Sequence, residues 1–410
     1  MNNKICKFDD LLLADDYSAR LYENYDLIRS EEPIYWSDAW TSWVLTRYDD
    51  SIECLRNVKD FSSVGRTLRF MDQIPEGERH RFKALREHYE DGGLINKDPP
   101  DHTRLRKLVI KAFSPRLVEK KRDLATKLVN ELIDKVQGKG RMEMINDFAF
   151  PLPAILIASI LGVPPEDRDM FKDWSRNVLL FTGSGRLNLD FAEKAQESRV
   201  AMSNYLRQLM EERLKEPQDD LISALASARE EDDLLTETEL VTSCGVILVA
   251  GHETTANLIT NGFLTLFQNL DQLEDLKKNS ALLSVALEEI LRYESPLQSI
   301  PRLVSNDTVF RGKTLKKGDL VTVMIGAANR DPTQFSAPHK FDIYRKDNMH
   351  IAFGQNVHFC LGATLARMDV AIAFEALLRR LPNIRLDGEK PKWKPSMAVR
   401  GLESLNVIFD

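Results

Sequence analysis

The sequence predicts a mainly α-helical fold with small β-sheets. Apolar residues recur at helical spacing through most of the chain after residue 100, whereas β-prone runs are short and few. No segment alternates strands and helices in the way that a parallel nucleotide-binding sheet requires, so a Rossmann fold is excluded. The 410 residues, of which 43% are apolar and 29% charged, are typical of a globular protein and exclude a disordered chain.

Charge and composition narrow the classes of partner and compartment. The formal charge of −7 argues against nucleic acid as the main partner, because nucleic-acid-binding proteins usually carry a basic excess. No apolar run reaches the length of a membrane-spanning helix, and the N-terminus lacks the apolar core of a signal peptide. The four cysteines form no CxxC pair, which excludes a zinc ribbon and disfavours a disulfide framework. We therefore expect a cytoplasmic protein, with a monomer as the default state.

The first hundred residues predict a helix, a hairpin, a short helix and then a long loop. The β-prone runs 33–36 and 43–46 are separated by a few polar residues, as in a β-hairpin. Residues 62–98 are highly charged and interrupted by glycine and proline, which predicts an irregular functional loop or lid rather than a linker. The alternative is a solvated charged excursion without a function.

Helices are predicted for most of the central part of the chain. Apolar spacing indicates helices over 123–136 and 152–161, the second ended by Gly162. Residues 167–213 are predicted to form two helices around a break at Gly183-Ser184-Gly185, and this segment is the second candidate lid.

The C-terminal half begins with the longest predicted helix. Thr236 and Glu239 form a capping box that opens a helix reaching about Phe267, roughly 45 Å in length. Further helices are predicted over 282–293 and 361–381, and short strands over the ranges 303–311, 320–325 and 404–409.

A single cysteine stands in the most distinctive segment, 353–363. Cys360 lies between aromatic and aliphatic residues just before an amphipathic helix. The N-terminus of a helix favours a thiolate, and a shielded thiolate can serve as an axial metal ligand. The alternative is an inert buried cysteine, which is the usual fate of a free thiol.

A second unusual segment, Ala250-Gly251-His252-Glu253-Thr254-Thr255, interrupts the apolar surface of the long helix. Glycine costs about 1 kcal/mol inside a helix relative to alanine, so its presence here suggests a functional reason. Small residues would let a flat group approach the backbone, and Thr254 can bond back to a carbonyl and open the helix locally. The alternative is a polar face exposed to solvent.

Two other charged patterns are weaker when taken alone. Glu289 and Arg292 have the spacing of a helical ion pair. His102 and Arg106 lie four residues apart on one helical face, which suits carboxylates but equally describes a basic surface stripe.

Taken together, these segments resemble the cytochrome P450 family. The pattern Phe-x-x-Gly-x-x-x-Cys-x-Gly of its cysteine loop is matched by Phe353, Cys360 and Gly362, and the four motifs occur in the family's order. Asn356 replaces the inner glycine of that pattern. Asparagine tolerates a positive φ better than other non-glycine residues, so we expect the turn to be kept.

The resemblance implies a role for each of these residues. Cys360 would be the proximal ligand of haem b, in a loop that includes Phe353 and Gly362. His102, Arg106, Arg302 and His358 would hold the haem propionates, and Ala250 and Gly251 would allow the haem to approach the helix. Thr254 would donate a hydrogen bond to bound dioxygen, while Glu253 would help to relay protons. Glu289 and Arg292 would form a structural network, with Arg345 as its third member.

The resemblance also implies the architecture and the reaction. A single domain over 1–410, shaped as a triangular prism, would hold haem between the long distal helix and the proximal helix after Cys360. One oxygen atom of O2 would be inserted into a hydrophobic substrate, such as a polyketide, macrolide, steroid or fatty acid, in secondary metabolism. Apolar candidates for substrate contacts are Leu179, Phe181, Val249, Ile300 and Val399.

The implied electron source is NAD(P)H, acting through a separate ferredoxin or flavodoxin, because the chain lacks flavin and nicotinamide fingerprints. Residues 104–122 contain eight Lys or Arg and one acid, and such a basic face suits an acidic electron donor. Two alternatives remain: a peroxide-driven peroxygenase of the same fold, or a haem sensor or carrier without catalytic activity. The first is disfavoured because peroxygenase relatives replace the Glu253–Thr254 pair that this chain keeps.

Overall fold

The computed structural model describes residues 7–14, 16–113, 115–183, 187–230 and 233–410. Within these residues the chain is mainly helical. The α-helices are α1 (Lys7–Leu13), α2 (Leu21–Glu31), α3 (Tyr48–Arg56), α4 (Arg66–Met71), α5 (Lys83–Asp91), α6 (Asp101–Ala112), α7 (Pro115–Lys120), α8 (Arg122–Gln137), α9 (Pro151–Leu161), α10 (Arg168–Gly183), α11 (Leu189–Lys215), α12 (Leu221–Ser227), α13 (Glu237–Phe267), α14 (Leu270–Lys278), α15 (Leu283–Tyr293), α16 (Ile325–Ala328) and α17 (Ala363–Arg380).

Short strands form small sheets beside the helices. They are β1 (Ile34–Ser37), β2 (Ser42–Leu45), β3 (Phe61–Ser62), β4 (Arg141–Glu143), β5 (Arg229–Glu230), β6 (Asp233–Leu234), β7 (Ser299–Val304), β8 (Thr308–Phe310), β9 (Lys313–Leu315), β10 (Leu320–Met324), β11 (Arg385–Leu386) and β12 (Asn406–Ile408). The largest sheet has the order β1-β2-β10-β7-β3, in which β10 runs parallel to β2 and the other neighbours are antiparallel. A second sheet has the order β11-β12-β4, and β5-β6 and β8-β9 are two-stranded.

Helix α13 runs through the helical part of the molecule for 31 residues. The predicted capping box is present: Thr236 accepts from the Glu239 amide, and the Glu239 carboxylate accepts from the Thr236 amide. The helix packs against α9, α11, α15 and α17. Because it is buried on most sides, its sequence is apolar around nearly its whole circumference.

The hairpin and most of the long helices are confirmed. Strands β1 and β2 pair from Ile34 opposite Leu45 to Ser37 opposite Ser42. Helices α8, α9, α13, α15 and α17 cover the predicted ranges to within two residues at each end, and Gly162 ends α9 with φ +85°. Helices α10 and α11 also form as predicted, although Ser184 and Gly185 of the predicted break lie outside the described residues.

The prediction of an irregular loop over 62–98 is wrong in its secondary structure. The segment contains α4 and α5 together with 3-10 turns at 76–82 and 94–96. Phe82, Leu85 and Tyr89 form a buried stripe at helical spacing, but the surrounding charged residues concealed it. Exposed pairs such as Arg86–Glu90, spaced four residues apart, favour the helix.

The predicted strand over 303–311 is two strands, β7 and β8, and β7 starts earlier than expected. Pro301 lies inside β7 opposite Thr322 of β10, where proline normally argues against a strand. It is tolerated because β3 pairs only with residues 303 and 304, so the other edge of Pro301 needs no ladder hydrogen bond. In the part of the chain that the structure describes, no helix combines the length and hydropathy of a membrane span.

Candidate active site

The Cys360 loop is held by its own backbone. The Cys360 amide donates to the Phe353 carbonyl at 2.8 Å, and the Phe359 amide donates to the Asn356 carbonyl at 3.0 Å. Asn356 has φ +58°, the left-handed conformation in which asparagine replaces glycine at modest cost. Its side chain donates to the Arg56 carbonyl at 3.0 Å, so the asparagine also ties the loop to α3.

Cys360 lies just before α17, whose N-cap is Gly362. The side chain reaches solvent, yet the protein around it partly desolvates the sulfur and raises the pKa of the thiol. A hydrogen bond from the Gly362 amide and the charges of Arg106 and Arg367 act in the opposite direction. An exposed sulfur near two guanidinium groups and a helix N-terminus is suited to bind a metal as thiolate.

His102 and His358 meet beside this loop. Their ring centroids lie 4.3 Å apart, and His358 Nε2 is 3.0 Å from Ser63 Oγ. Arg106 donates from NH2 to the Phe359 carbonyl at 2.7 Å, which brings α6 against the loop. Burial, His358 and Arg106 together lower the pKa of His102 to about 4, so its imidazole is neutral at pH 7.

Several nitrogen atoms in this cluster have no hydrogen-bond partner among the residues that the structure describes. Both ring nitrogens of His102 and Nε of Arg302 are buried without a hydrogen-bond partner, and Arg302 is only 2% exposed. Asp98, the carboxylate nearest to His358, already accepts from Ser62 Oγ and from the Ser63 amide at 3.0 Å. Buried donors without acceptors indicate a ligand that supplies anionic oxygen atoms.

Arg66, at the first position of α4, belongs to the same neighbourhood and was missed by the sequence analysis. It donates to the carbonyls of Pro301, at 3.3 Å, and Ile95, at 2.8 Å. Burial and the nearby charge of Arg302 lower its pKa to about 9. Its segment was predicted as a loop, and no pattern in the sequence distinguishes it from the other arginines there.

The turn of α13 from residue 250 to residue 254 carries the predicted acid and alcohol. Thr254 Oγ1 donates to the Ala250 carbonyl at 2.9 Å, and the Ala250 side chain is exposed. Burial raises the pKa of Glu253, while Lys394, whose Nζ lies 3.9 Å from Glu253 Oε1, and Arg176 oppose this increase. The carboxyl group therefore holds a proton to a higher pH than an ordinary glutamate does.

The explanation given for Gly251 needs correction. A Cβ atom at this position would lie 3.2 Å from Ile157 of α9, so the missing side chain serves helix packing rather than an approach from the open side. His252 also points into the core, where Nδ1 is 2.8 Å from the Leu248 carbonyl and burial lowers the pKa of the ring. Of the two small residues, only Ala250 is exposed to solvent.

The predicted triad of Glu289, Arg292 and Arg345 is brought together. Arg292 makes two hydrogen bonds of 2.7 Å to the Glu289 carboxylate, and both side chains are fully buried. Arg345 Nε donates to the same carboxylate at 3.1 Å. Arg292 also donates to the carbonyls of Asn329 and Pro338, so the triad ties α15 to the segment before the Cys360 loop.

The predicted substrate contacts do not form a single cluster. Leu179 and Val249 belong to one apolar cluster, whereas Phe181 and Ile300 belong to two others. Backbone contacts nevertheless place their segments side by side: the Met397 amide donates to the Gly183 carbonyl at 3.3 Å, and Leu297 pairs with Val399. The end of α10, the start of β7 and residues 396–399 therefore form one continuous wall.

Comparison with known proteins identifies the family. The cytochrome P450 family model matches residues 57–402. The chain is 38% identical to a biotin biosynthesis cytochrome P450 of Bacillus subtilis, with 97% of this chain and 98% of the relative covered.

Two solved structures are similar to this chain over nearly its whole length. P450BioI, in complex with an acyl carrier protein ligated to hexadec-9Z-enoic acid, is 36% identical with a TM-score of 0.89, covering 96% of this chain and 99% of that one. CYP109E1 of Bacillus megaterium, in complex with testosterone, is 34% identical with a TM-score of 0.82, covering 95% and 99%.

Proposed function

We propose how this chain works from the premise that it belongs to the cytochrome P450 family and is a haem-thiolate monooxygenase. Its residues fit haem b in two places. The Cys360 sulfur just before α17 would be the thiolate ligand, and His102 and Arg302 would donate hydrogen bonds to the propionates. Haem bound in this way supplies the activation of O2, favoured by the electron-donating thiolate.

The residues around Cys360 would stabilise the charge of the bound cofactor. Arg106 and His358 extend the set of donors around the propionates, and Arg66 adds a further cation. Phe353 packs 6.1 Å from the Phe359 ring and lies under the guanidinium of Arg367, which covers the loop from outside. Gly362 contributes its amide to the sulfur, and the charges of Arg106 and Arg367 also favour the thiolate.

Thr254 and Glu253 of α13 would position and deliver protons for the reaction. Thr254 must turn its hydroxyl from the Ala250 carbonyl toward the bound substrates to donate a hydrogen bond. Glu253, with its raised pKa, would retain a proton near neutral pH and deliver it through this hydroxyl or through water. This division of roles favours a monooxygenase over a sensor, which needs no proton relay.

The substrate would be a hydrophobic small molecule, with polyketides, macrolides, steroids and fatty acids as the candidate classes. The wall formed by the end of α10, the start of β7 and residues 396–399 would orient it. The segments 62–98 and 167–213 would open and close around it as lids on a single domain over 1–410. Apolar lining with few polar groups is the usual composition of such pockets.

Electrons would come from NAD(P)H through a ferredoxin or flavodoxin. A surface cavity of about 460 Å³ lies between α6 and the Cys360 loop, lined by His102, Arg106, Lys107 and Lys111 among others. This basic surface near the cysteine would attract an acidic donor. We place the complete reaction in the cytoplasm, and we expect a monomer.

The exposed sulfur of Cys360 beside the unsatisfied donors of His102 and Arg302 is the observation that carries this proposal. The test is the carbon monoxide spectrum of the reduced, haem-loaded protein, measured for wild type, Cys360→Ala and, as a control, Cys54→Ala. Cys54 is fully buried in another cluster, so its variant should keep the red-shifted Soret band that Cys360→Ala loses. A band that survives Cys360→Ala would contradict the proposal.

A peroxygenase gives a different result in a turnover assay. The wild-type enzyme should consume NADPH in a substrate-dependent way when reductase and ferredoxin are supplied. Product formed only with hydrogen peroxide, together with no effect of Thr254→Ala, would instead identify a peroxygenase. Haem binding without substrate-dependent NADPH consumption or product in either assay would identify a sensor or carrier.

A further inference from the structure

Two adjacent glutamates of α15 hold different parts of the segment around Cys360. Glu289 is fully buried and forms the triad described above, whereas Glu288 is 31% exposed and pairs with Arg367 of α17. Successive residues of a helix point about 100° apart, so α15 reaches both the segment before the Cys360 loop and the helix after it. The triad explains Glu289, but nothing described above explains Glu288.

The Glu288 carboxylate accepts hydrogen bonds from two side chains. Arg367 donates to its two oxygen atoms, at 2.7 and 2.8 Å, in the parallel arrangement of a bidentate arginine–carboxylate pair. Nε2 of His350 lies 3.1 Å from the same carboxylate, and the His350 side chain is 4% exposed. Nδ1 of this ring accepts from the Ala352 amide at 3.2 Å, which leaves the proton on Nε2. His350 is therefore a donor that fixes the orientation of the carboxylate.

Both members of the Glu288–Arg367 pair are charged at pH 7. Burial alone would raise the pKa of Glu288, but the hydrogen bonds from Arg367 and His350 outweigh this effect and lower the pKa to about 2. The bonds to Glu288 in turn raise the pKa of Arg367. The pair therefore has no net charge, and removing either side chain leaves a full charge in its place.

Arg367 also contacts the loop that presents Cys360. Its guanidinium lies 4.5 Å from the centre of the Phe353 ring, and the Phe353 carbonyl accepts from the Cys360 amide at 2.8 Å. A cation over an aromatic face is attracted to it, so this contact keeps the guanidinium in place. After the bonds to Glu288, the charge of Cys360 also contributes to the raised pKa of Arg367. The arginine and the sulfur therefore interact electrostatically.

Two guanidinium groups, those of Arg106 and Arg367, act on the Cys360 sulfur. Arg106 donates to the Phe359 carbonyl and has no carboxylate partner among the described residues, so the haem propionates would supply its counter-charge. Arg367 instead receives a carboxylate from the chain itself. Glu288 thus neutralises one particular cation beside the sulfur and leaves the other available to the cofactor.

We propose that Glu288 offsets the charge of Arg367 beside the Cys360 sulfur and thereby keeps the reduction potential of the bound haem low. This assignment rests on the proposed thiolate ligation, and it makes Glu288 a positioning residue. The external electron donor adds one negative charge next to the sulfur, so a more positive surrounding raises the potential and a more negative one lowers it. Loss of the Glu288 charge should therefore raise the potential, and loss of the Arg367 charge should lower it.

The test is a potentiometric titration of the substrate-free, haem-loaded protein with dithionite, in which the absorbance gives the ferrous fraction. At a fixed applied potential, Glu288→Gln should raise the ferrous-to-ferric ratio at least about threefold, because the unpaired cation stabilises the added electron. Arg367→Gln should lower the ratio by a similar factor. The double variant, which has neither charge, should return close to wild type. The control is Asp134→Asn, which removes the carboxylate partner of Arg380 at the far end of α17 and should leave the ratio unchanged.

Three outcomes would overturn the assignment: a potential of Glu288→Gln at or below that of wild type, shifts of the same sign in the two single variants, or an equal shift in Asp134→Asn. If Glu288→Gln does not hold haem, Arg367→Gln decides, since a potential at or above that of wild type contradicts the proposal. A purely structural pair would lower the urea midpoints of both variants without moving the potential.

The carbon monoxide spectrum separates this failure from that of the proposed function. A normal thiolate band in wild type and variants, together with unchanged potentials, would refute only the role of Glu288. A wild-type protein without the band would refute the thiolate ligation itself.

Discussion

The Cys360 loop and the α13 turn are held by the fold in different ways, although both would face the same cofactor. Backbone hydrogen bonds, the Asn356–Arg56 contact and the buried Glu289 triad fix the segment around Cys360. The α13 turn instead has exposed Ala250 and a protonatable Glu253. The cysteine side is therefore built to stay in place, whereas the α13 side keeps polar groups available for what binds there.

The largest effect, on protein stability, is expected from a change in the Glu289 triad, which helps to fix the segment around Cys360. Glu289→Gln leaves Arg292 buried without its counter-charge and should destabilise the protein by about 3–5 kcal/mol. Urea unfolding of the haem-loaded protein measures this change. The control is Glu274→Gln, whose exposed pair with Lys277 is worth less than about 1 kcal/mol. Equal unfolding midpoints for the two variants would show that the triad does not hold this side.

The next largest effect concerns catalysis at the α13 turn. Thr254→Ala should lower product formed per NADPH consumed by at least about tenfold, because the hydroxyl that positions the proton is lost. Stability should change little, since the Thr254 hydroxyl bonds only to its own helix. Thr265→Ala, which removes a similar bond to the Asn261 carbonyl farther along α13, is the matched control. Equal amounts of product per NADPH consumed in the two variants would show that Thr254 takes no part in the mechanism.

A smaller effect should appear in the pH dependence of turnover. Burial raises the pKa of Glu253 and Lys394 opposes that increase, so Lys394→Ala should raise this pKa further. If Glu253 delivers protons, turnover declines as the pH rises through its pKa, and the variant moves that decline to higher pH. The shift should be small, because Lys394 is 42% exposed and screened by solvent. Lys392→Ala is the control, and a shift to lower pH would contradict the arrangement.

The smallest effect should follow a return to the family's glycine in the cysteine loop. Asn356→Gly relieves the left-handed conformation but loses the bond to Arg56, so stability should change by less than about 1 kcal/mol. The carbon monoxide band should stay unchanged. Asn356→Val, whose branched side chain cannot easily adopt φ +58°, should lose clearly more stability. Equal stability of the two variants would mean that the backbone conformation does not limit the loop.

The same contrast explains what the sequence could and could not predict. Motifs with fixed spacing, such as Cys360 with its glycine and Glu289 with Arg292, are local and could be recognised directly. The α13 helix was predictable because its capping box and its apolar length lie within one segment. Arg66 could not be identified, because its meaning depends on Pro301, a neighbour far away along the chain. Gly251 was misread for the same reason, since Ile157 lies on another helix.

One uninterrupted helix carries the whole acid–alcohol turn, well inside its two ends. Its rise per residue is set by peptide geometry, so Glu253 and Thr254 keep a fixed spacing from Ala250 whichever substrate is bound. Substrate selectivity would then be redesigned on the wall formed by the end of α10, the start of β7 and residues 396–399, while the acid and the alcohol stay untouched.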